Sequence, residues 1–352
     1  MSIDETTRPG VKKLGIPMRR AVSVSPDDLV RAEPMNEGGL PLVIRPGVAG
    51  VSLTSWAESN RDRITRDLLK HGGILFRGFE VRKLEDFEQT VKAVSGDLLE
   101  YKERSSPRHS VQGKIYTSTD YPPDQPIFLH NENSYQAAWP RRIFFHCAIA
   151  AQEGGETPIA DVRKIYQRVD PEIREKFIQK KWMVVRNYGD GFGLPWQTVY
   201  QTEDKSLVEE HCRRSGIDFE WKPGNRLRTR AVRNAVAKHP DTGEMCWFNH
   251  ATFFHVSTLV PSVREALLEE FSEEDLPTNT YYGDGSPIEP EVLDHLRSCY
   301  HAETVSFLWE VGDILLLDNM LVAHARAPFK GDRKILVAMS IPTTWADVPA
   351  VA

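Results

Sequence analysis

Residues 313–324 have the sequence DILLLDNMLVAH. The apolar run at residues 313–317, followed by the turn-forming pair Asp318-Asn319, predicts a buried β-strand that ends in a tight turn. His324 comes directly after this strand and turn. A single histidine near an apolar strand is most often a core residue, so its role depends on the side chains that accompany it.

Two more side chains that can bind a metal lie upstream of His324, in the triplet His130-Asn131-Glu132, whose histidine precedes His324 by 194 residues. In a β-strand, residues i and i+2 point to the same face, so this triplet is expected to present an imidazole and a carboxylate side by side. Two histidines and one carboxylate on one face of a metal are the ligands of non-haem Fe(II) oxygenases. The triplet alone occurs often by chance.

Two further residues strengthen the interpretation. Arg333 follows His324 by nine residues, at the start of a predicted strand, and its guanidinium can hold a carboxylate with two hydrogen bonds. Thr157 follows the pair Gly154-Gly155, where the chain can turn tightly before another strand. Either feature alone is compatible with an ordinary surface charge or an ordinary turn.

The composition excludes several classes of protein. The 352 residues are 40% hydrophobic and 27% charged, as in a globular chain, with a net charge of −6 that disfavours nucleic-acid and anionic-membrane partners. There are four cysteines without a CxxC pair, and the first residues contain no apolar signal segment. These features predict a reduced, cytoplasmic protein.

The hydrophobic pattern predicts a mainly β fold with flanking helices. Residues 1–40 are expected to form an N-terminal arm, and residues 41–352 a single domain with a large helical insertion at about 161–245. Helices are predicted at 56–70, 84–94, 164–180, 207–215 and 262–271. Strands are predicted at 73–78, 127–132, 142–150, 246–255, 304–308, 313–317 and 335–341. No glycine-rich nucleotide-binding motif is present.

Seven ordered segments together resemble the TauD/TfdA family of Fe(II)/2-oxoglutarate-dependent oxygenases, and within it the clavaminate-synthase-like, SyrP-type branch. The likeness spans about residues 40–345. The segments are 116–122, 130–135, 154–161, 186–188, 246–249, 279–285 and 318–324.

The resemblance implies a double-stranded β-helix, or jelly-roll, core and an enzyme that uses Fe(II), 2-oxoglutarate and O2. His130, Glu132 and His324 would bind the iron, while Arg333 and Thr157 would hold 2-oxoglutarate. The expected reaction is hydroxylation of an amino acid, free or bound as an aminoacyl or peptidyl group to a carrier protein, in antibiotic biosynthesis. Succinate and CO2 would be the co-products.

Other outcomes of the same oxygen chemistry are desaturation and epoxidation. Related halogenases have a small residue in place of the carboxylate ligand, so Glu132 favours hydroxylation over halogenation. The chain departs from the branch pattern at Asn133, His250 and Ala325, where methionine, glutamine and glycine are usual. The first two departures are expected in the substrate pocket, so the substrates of relatives need not be shared.

The expected partner is an amino-acid-like small molecule, and assembly into an oligomer is compatible with the sequence. Seven residues are candidates for binding this substrate: Arg104, Arg108, Asn131, Tyr135, Asn249, His250 and Arg326. The glycine-rich loop at 187–196 is a candidate lid. A basic patch that could face an acidic carrier protein would consist of Arg104, Arg108, Arg141 and Arg142.

Two alternatives from other classes are a non-catalytic jelly-roll protein that binds a small carboxylate and a zinc hydrolase with the same ligands. A degenerate binding protein is expected to have lost a metal ligand or Arg333, and all are present. In a zinc hydrolase, Arg333 and Thr157 have no evident function. The residues therefore favour the oxygenase.

Overall fold

The computed structural model describes residues 29–100, 110–117, 121–189, 191 and 193–351, with the backbone alone at 110–112. The strands are β1 (Val30–Pro34), β2 (Leu42–Pro46), β3 (Gly73–Phe76), β4 (Ser110–Gln112), β5 (Ile115–Thr117), β6 (Ile127–His130), β7 (Ala138–Ile149), β8 (Glu153–Gly154), β9 (Ile159–Asp161), β10 (Trp182–Tyr188), β11 (Ile217–Lys222), β12 (Arg226–Arg233), β13 (Val236–Lys238), β14 (Met245–Trp247), β15 (Thr278–Tyr282), β16 (Thr304–Val305), β17 (Ile314–Asp318), β18 (Val322–Arg326), β19 (Phe329–Lys330) and β20 (Lys334–Thr344).

The helices are α1 (Leu53–Ser59), α2 (Arg61–His71), α3 (Leu84–Ser95), α4 (Val162–Arg168), α5 (Pro171–Lys180), α6 (Trp196–Tyr200), α7 (Lys205–Arg214), α8 (Pro261–Glu270) and α9 (Pro290–Ala302). Short 3-10 turns lie at Val256–Thr258, Glu273–Asp275 and Trp345–Asp347. No helix in the described part of the chain is long and apolar enough to cross a lipid bilayer.

The main sheet has the order β1-β2-β3-β17-β7-β20-β5-β4, and its neighbours are antiparallel except for the parallel pair β2 and β3. Successive side chains of a strand point to opposite faces. Leu315 and Leu317 of β17 therefore enter one hydrophobic cluster, whereas Ile314 and Leu316 enter a second. The second cluster includes side chains of α1, α2 and α3, so these helices cover one face of the main sheet.

A second sheet, with the order β16-β9-β18-β6, lies on the other face of the main sheet. Leu129 of β6, Ile159 of β9 and Val322 of β18 belong to the same hydrophobic cluster as Leu315 and Leu317. The two sheets therefore enclose one core between them without closing into a barrel. This arrangement confirms the predicted mainly β, jelly-roll core with flanking helices.

The segment between β9 and β16 is longer than the predicted insertion. It contains α4 to α9 and a third sheet with the order β11-β12-β10-β15. β15 comes from residues 278–282, beyond the predicted end near 245, because it completes this sheet by pairing with β10. The insertion is also less helical than predicted, since antiparallel strands form its centre.

Several predicted elements have different ends in the structure. The helix predicted at 56–70 is two helices that meet at Asn60. The helix predicted at 164–180 is interrupted where Asp170 caps α5 and Pro171 begins it, since proline favours the first helical position. The strand predicted at 246–255 ends at Trp247, because the Asn249 side chain accepts a hydrogen bond from the Ala251 N–H and turns the chain.

The N-terminal arm predicted at 1–40 also differs at its end. Residues 30–34 form β1, an edge strand that pairs with β2 in the main sheet. Val30 is buried in the cluster covered by α1 to α3. The last part of the predicted arm is therefore part of the folded core.

Candidate metal centre and substrate cavity

His130 and His324 are directly opposite each other on the neighbouring strands β6 and β18. Their ring centroids are 4.4 Å apart. His130 Nδ1 lies 2.9 Å from the Phe128 carbonyl oxygen. Because a carbonyl can only accept, Nδ1 donates its proton and Nε2 keeps the lone pair that a metal needs.

Glu132 lies in a turn after β6, and not on the strand as the triplet predicted. β6 ends at His130, and the next residues form a turn in which Asn133 has a φ of 58°. The side chain of Asn319 replaces the missing strand partner. It accepts a hydrogen bond from the Glu132 N–H at 2.7 Å and donates to the Glu132 carbonyl at 2.9 Å. Glu132 is held in place although its backbone has left the sheet.

The donor atoms of His130, Glu132 and His324 all lie within 4.8 Å of one another, and among the described residues this is the group that could hold a metal ion. The Glu132 Oε2 atom is 3.6 Å from His324 Nε2. Ligands on a common metal, each about 2 Å from it, are spaced a little more closely than this. Two imidazoles and one carboxylate suit Fe(II) and leave further coordination positions open. The residues present therefore fit the iron that the resemblance implies.

Arg333 and Thr157 lie beside this cluster. Together with His130 and His324 they line a small cavity of about 40 Å³. Arg333 Nε donates to the Gly155 carbonyl at 2.8 Å, and Arg333 Nη2 lies 3.4 Å from Thr157 Oγ1. Burial, and then the nearby charge of Arg326, lower the pKa of Arg333 to about 10. An anion in this cavity would offset both effects, as the distal carboxylate of 2-oxoglutarate would.

Gly155 is required beside Arg333. Its φ is +74°, and a Cβ atom at this position would lie 3.0 Å from Arg333 Cδ and 2.9 Å from Ala151 Cβ. A larger residue would therefore displace the arginine side chain as well as strain the backbone. The double glycine predicted as a tight turn also shapes the site for Arg333.

A larger cavity of about 850 Å³ also has His130 in its lining. Its metal-facing end includes Glu132, Asn133, Tyr135 and His250. The His250 ring lies 5.5 Å from that of His130, and His250 Nδ1 is 2.6 Å from Ser134 Oγ. Burial, reinforced by the neighbouring His130, holds the pKa of His250 well below its usual range.

Three of the seven residues predicted to bind substrate line the large cavity: Tyr135, His250 and Arg326. Arg326 also donates hydrogen bonds to the carbonyls of Tyr121, Pro122 and Gln125. Some of its N–H groups therefore hold the loop at 121–125 in place.

The other predicted substrate residues are placed differently. Asn131 and Asn249 are buried outside the cavity lining: their side-chain amides donate to the carbonyls of Asn319 and Ala235. Their predicted substrate contact is corrected to a structural role. Arg104 and Arg108 lie outside the described residues.

The predicted basic patch is wrong for its two described members. Arg141 is buried and bonded to Asp318, His239 and Asp241. Arg142 donates to Val94, Ser95 and Thr65, and its burial lowers its pKa. Both guanidinium groups, on the long strand β7, therefore bond to other parts of the fold.

The predicted lid loop at 187–196 contributes Gly193 and Leu194 to the cavity lining. Much of the remaining lining was not predicted, including Phe253, Phe254 and two side chains of α8, Val263 and Leu267. The available signal was the spacing of Val263 and Leu267, which places two apolar side chains on one face of the helix. The pair Asp318-Asn319 predicts a turn before His324, but it does not indicate that the Asn319 side chain positions Glu132.

Comparisons with known proteins support the family that the resemblance implies. The taurine catabolism dioxygenase TauD, TfdA family matches residues 38–339. Dapdiamide synthesis protein DdaC of Enterobacter agglomerans is 39% identical over 310 residues, which cover 85% of this chain and 94% of that protein. A clavaminate synthase-like protein of Arabidopsis thaliana is 28% identical over 317 residues, which cover 85% of this chain and 93% of that protein.

Solved structures support the fold. The structure of PvcB from Pseudomonas aeruginosa has a TM-score of 0.51 and 17% identity, and the match covers 92% of this chain and 94% of that one. A structure of PvcB described as an Fe, alpha-ketoglutarate dependent oxygenase from an isonitrile synthetic pathway has a TM-score of 0.52 and 16% identity, with the same coverage. With the family match over most of its length and a relative at 39% identity, the chain belongs to the TauD/TfdA family of Fe(II)/2-oxoglutarate-dependent oxygenases.

Proposed function

We propose that this protein hydroxylates an amino-acid-like substrate, free or tethered to a carrier protein, with 2-oxoglutarate and O2 as co-substrates and succinate and CO2 as co-products. The observation that carries the proposal is the position of His130, which lines both the small cavity with Arg333 and the cavity of about 850 Å³. A metal held by His130, Glu132 and His324 would be accessible to both co-substrate and substrate.

Each residue of the site has a separate task in this proposal. When bound, Fe(II) supplies the activation of O2 that oxygenases require. His130 presents Nε2 because its Nδ1 proton is held by the Phe128 carbonyl. Glu132 occupies the ligand position that is vacant in halogenases, which favours oxygen transfer. Arg333 and Thr157 bind the distal carboxylate of 2-oxoglutarate and so orient its keto-acid end.

The choice of substrate rests on two supports. DdaC is named for dapdiamide synthesis, and its 39% identity favours a biosynthetic role for this chain as well. The large cavity has a polar end at Asn133, Tyr135 and His250, next to the proposed ligands. These side chains can hydrogen-bond the amine and carbonyl groups of an aminoacyl unit while the carbon to be oxidised faces the metal.

The test is to measure succinate formation and product mass over a panel of amino acids, each offered free and as a carrier-bound thioester. The enzyme is loaded with Fe(II) and 2-oxoglutarate under anaerobic conditions before O2 is admitted. We expect one substrate class to yield succinate and a product with one added oxygen atom. A product that has lost two hydrogens would instead establish desaturation.

The matched variants are Glu132→Ala and Glu153→Ala. Glu153 is an exposed glutamate paired with Lys330, so its removal leaves the ligand set intact. Glu132→Ala is expected to lose turnover, and Glu153→Ala to keep it. Full turnover by Glu132→Ala would show that the ligand assignment is wrong. Binding of 2-oxoglutarate without succinate formation from any substrate would favour a non-catalytic carboxylate-binding protein.

A further inference from the structure

One wall of the large cavity is formed by apolar side chains of a single continuous segment that ends in α8. Six residues of this segment line the cavity: Phe253, Phe254, Leu259, Val260, Val263 and Leu267. Phe253 packs against the His130 ring at 4.6 Å between centroids, so the wall begins beside the proposed metal ligands. An apolar surface of this extent facing a cavity is stabilised when an apolar ligand displaces water from it.

The α8 helix turns only one face toward the cavity. Val263 and Leu267 are four residues apart and lie on the same side of the helix. Leu267 is 8% exposed, whereas its neighbour Leu268 is 47% exposed on the outside. Leu267 packs with Val256 and Leu276 in a small hydrophobic cluster separate from the two main cores. Leu259 and Val263 pack against the same cluster, so the α8 end of the wall is held by local contacts.

The charges of the lining match an apolar ligand better than a free zwitterion. Among the described residues that line the cavity, Arg326 has the one permanent positive charge, and it already donates to three backbone carbonyls. Glu132, the carboxylate in the lining, belongs to the proposed ligand cluster. A substrate whose carboxylate is masked as an amide or thioester carries no negative charge there, so it avoids the cost of burying an unpaired carboxylate in this cavity.

The size of the cavity points in the same direction. A volume of about 850 Å³ is near the upper end of the roughly 300–1,000 Å³ that is usual for binding sites of drug-sized ligands. A small free amino acid would leave much of the apolar wall uncovered. A leucyl, phenylalanyl or longer acyl group would extend from the metal-facing end onto Val263 and Leu267.

We propose that the substrate presents an apolar side chain or acyl group, of leucine size or larger, to this wall, and that Val263 and Leu267 determine the preference. The inference rests on the proposed function, since it specifies the substrate class of the same site. One methylene group in an apolar pocket changes specificity by about 10- to 200-fold. We therefore expect a leucyl or phenylalanyl compound to bind at least about 10-fold more tightly than its alanyl counterpart.

The test uses alaninamide, leucinamide and phenylalaninamide, three compounds with the same masked carboxylate and side chains of different size. Their dissociation constants are measured by calorimetry with the full-length protein, its metal and 2-oxoglutarate, in the absence of O2. The variants are Leu267→Asp and, at a less buried position on the same face, Val263→Asp. Leu268→Asp is the matched control, since it introduces the same charge on the outside of the same helix.

We expect the preference for leucinamide and phenylalaninamide in the wild-type protein and in Leu268→Asp, and its loss in both wall variants. Circular dichroism identifies any variant that fails to fold, and either folded wall variant then decides. Equal affinities for the three amides, including no measurable binding of any, would overturn the inference, as would an unchanged preference in a folded wall variant. Tight, selective binding without succinate formation from any substrate would instead count against the proposed function.

Discussion

Asn319 and Glu132 are joined by two hydrogen bonds that run in opposite directions. The Glu132 N–H donates to Asn319 Oδ1 at 2.7 Å, and Asn319 Nδ2 donates to the Glu132 carbonyl at 2.9 Å. Nδ2 also donates to the Pro140 carbonyl at 2.9 Å, and the Asn131 side chain donates to the Asn319 carbonyl at 2.7 Å. The turn before His324 is thereby bonded to the loop that bears Glu132, so the proposed ligands share one support.

Replacing Asn319 with alanine is expected to weaken both the fold and the metal site. The N–H and carbonyl of Glu132 would lose their partners in a buried place, at a cost of about 1–3 kcal/mol for each unsatisfied group. Loss of groups that orient metal ligands usually weakens metal binding by about 10- to 100-fold. Urea denaturation and calorimetric titration with Mn(II) would measure the two effects. Asn234→Ala, at an exposed position, should change neither.

Replacing Arg333 with glutamine is expected to raise the KM for 2-oxoglutarate. A hydrogen bond to a charged group contributes about 1.5–3 kcal/mol, so losing the guanidinium corresponds to an increase of about 10- to 100-fold. Arg333→Lys should recover only part of this loss, because an ammonium group cannot make the paired contact. Succinate formation at varied 2-oxoglutarate concentration gives the KM. An unchanged KM in Arg333→Gln, matching that of the exposed control Arg82→Gln, would refute the assignment.

Gly155→Ala is expected to disturb 2-oxoglutarate binding through Arg333. The new Cβ would lie 3.0 Å from Arg333 Cδ, in addition to the strain of a φ of +74°. Gly224 is a matched control, because its φ is +77° and no atom lies within 4 Å of its Cβ position. Both variants should lose about 1 kcal/mol of stability from backbone strain. Only Gly155→Ala should also raise the KM for 2-oxoglutarate, and equal KM values would contradict the explanation.

His255 is expected to make the stability of the fold depend on pH. Burial, aided by the nearby charge of Arg297, lowers the pKa of His255 to about 4, and its Nδ1 accepts a hydrogen bond from the Ser257 N–H. Because the folded pKa lies below the ordinary value of about 6.5, the unfolded chain takes up the proton first as the pH falls. His255 therefore stabilises the fold fully above pH 6.5, and this contribution is lost between about pH 6.5 and 4.

The measurement is the free energy of unfolding of the wild-type protein and of His255→Gln between pH 4 and 7. Glutamine cannot titrate, so the difference between the two proteins should shrink by about 3 kcal/mol at most as the pH falls through this range. A constant difference between wild type and His255→Gln would contradict the predicted role of this histidine.

Some features of the fold followed directly from local sequence. The run at residues 313–317 became β17, with its leucines alternating between two hydrophobic clusters. The helix predicted at 84–94 is α3, and that at 262–271 is α8. These elements could be predicted because side-chain periodicity within one segment decides which of its faces is buried. The strand pairings of the third sheet could not be predicted in this way, because about ninety residues of other elements separate β10 from β15.

The sequence by itself determined which residue types the proposed site contains: two histidines, one glutamate, an arginine and a threonine, in an order that resembles the family. Ligand chemistry belongs to residue type, so it is readable without coordinates. Only the tertiary structure decided that Glu132 sits in a turn held by Asn319, that Arg141 is buried, and that Leu267 faces a cavity. Each of these depends on contacts between segments far apart in the chain, and local periodicity contains no information about such contacts.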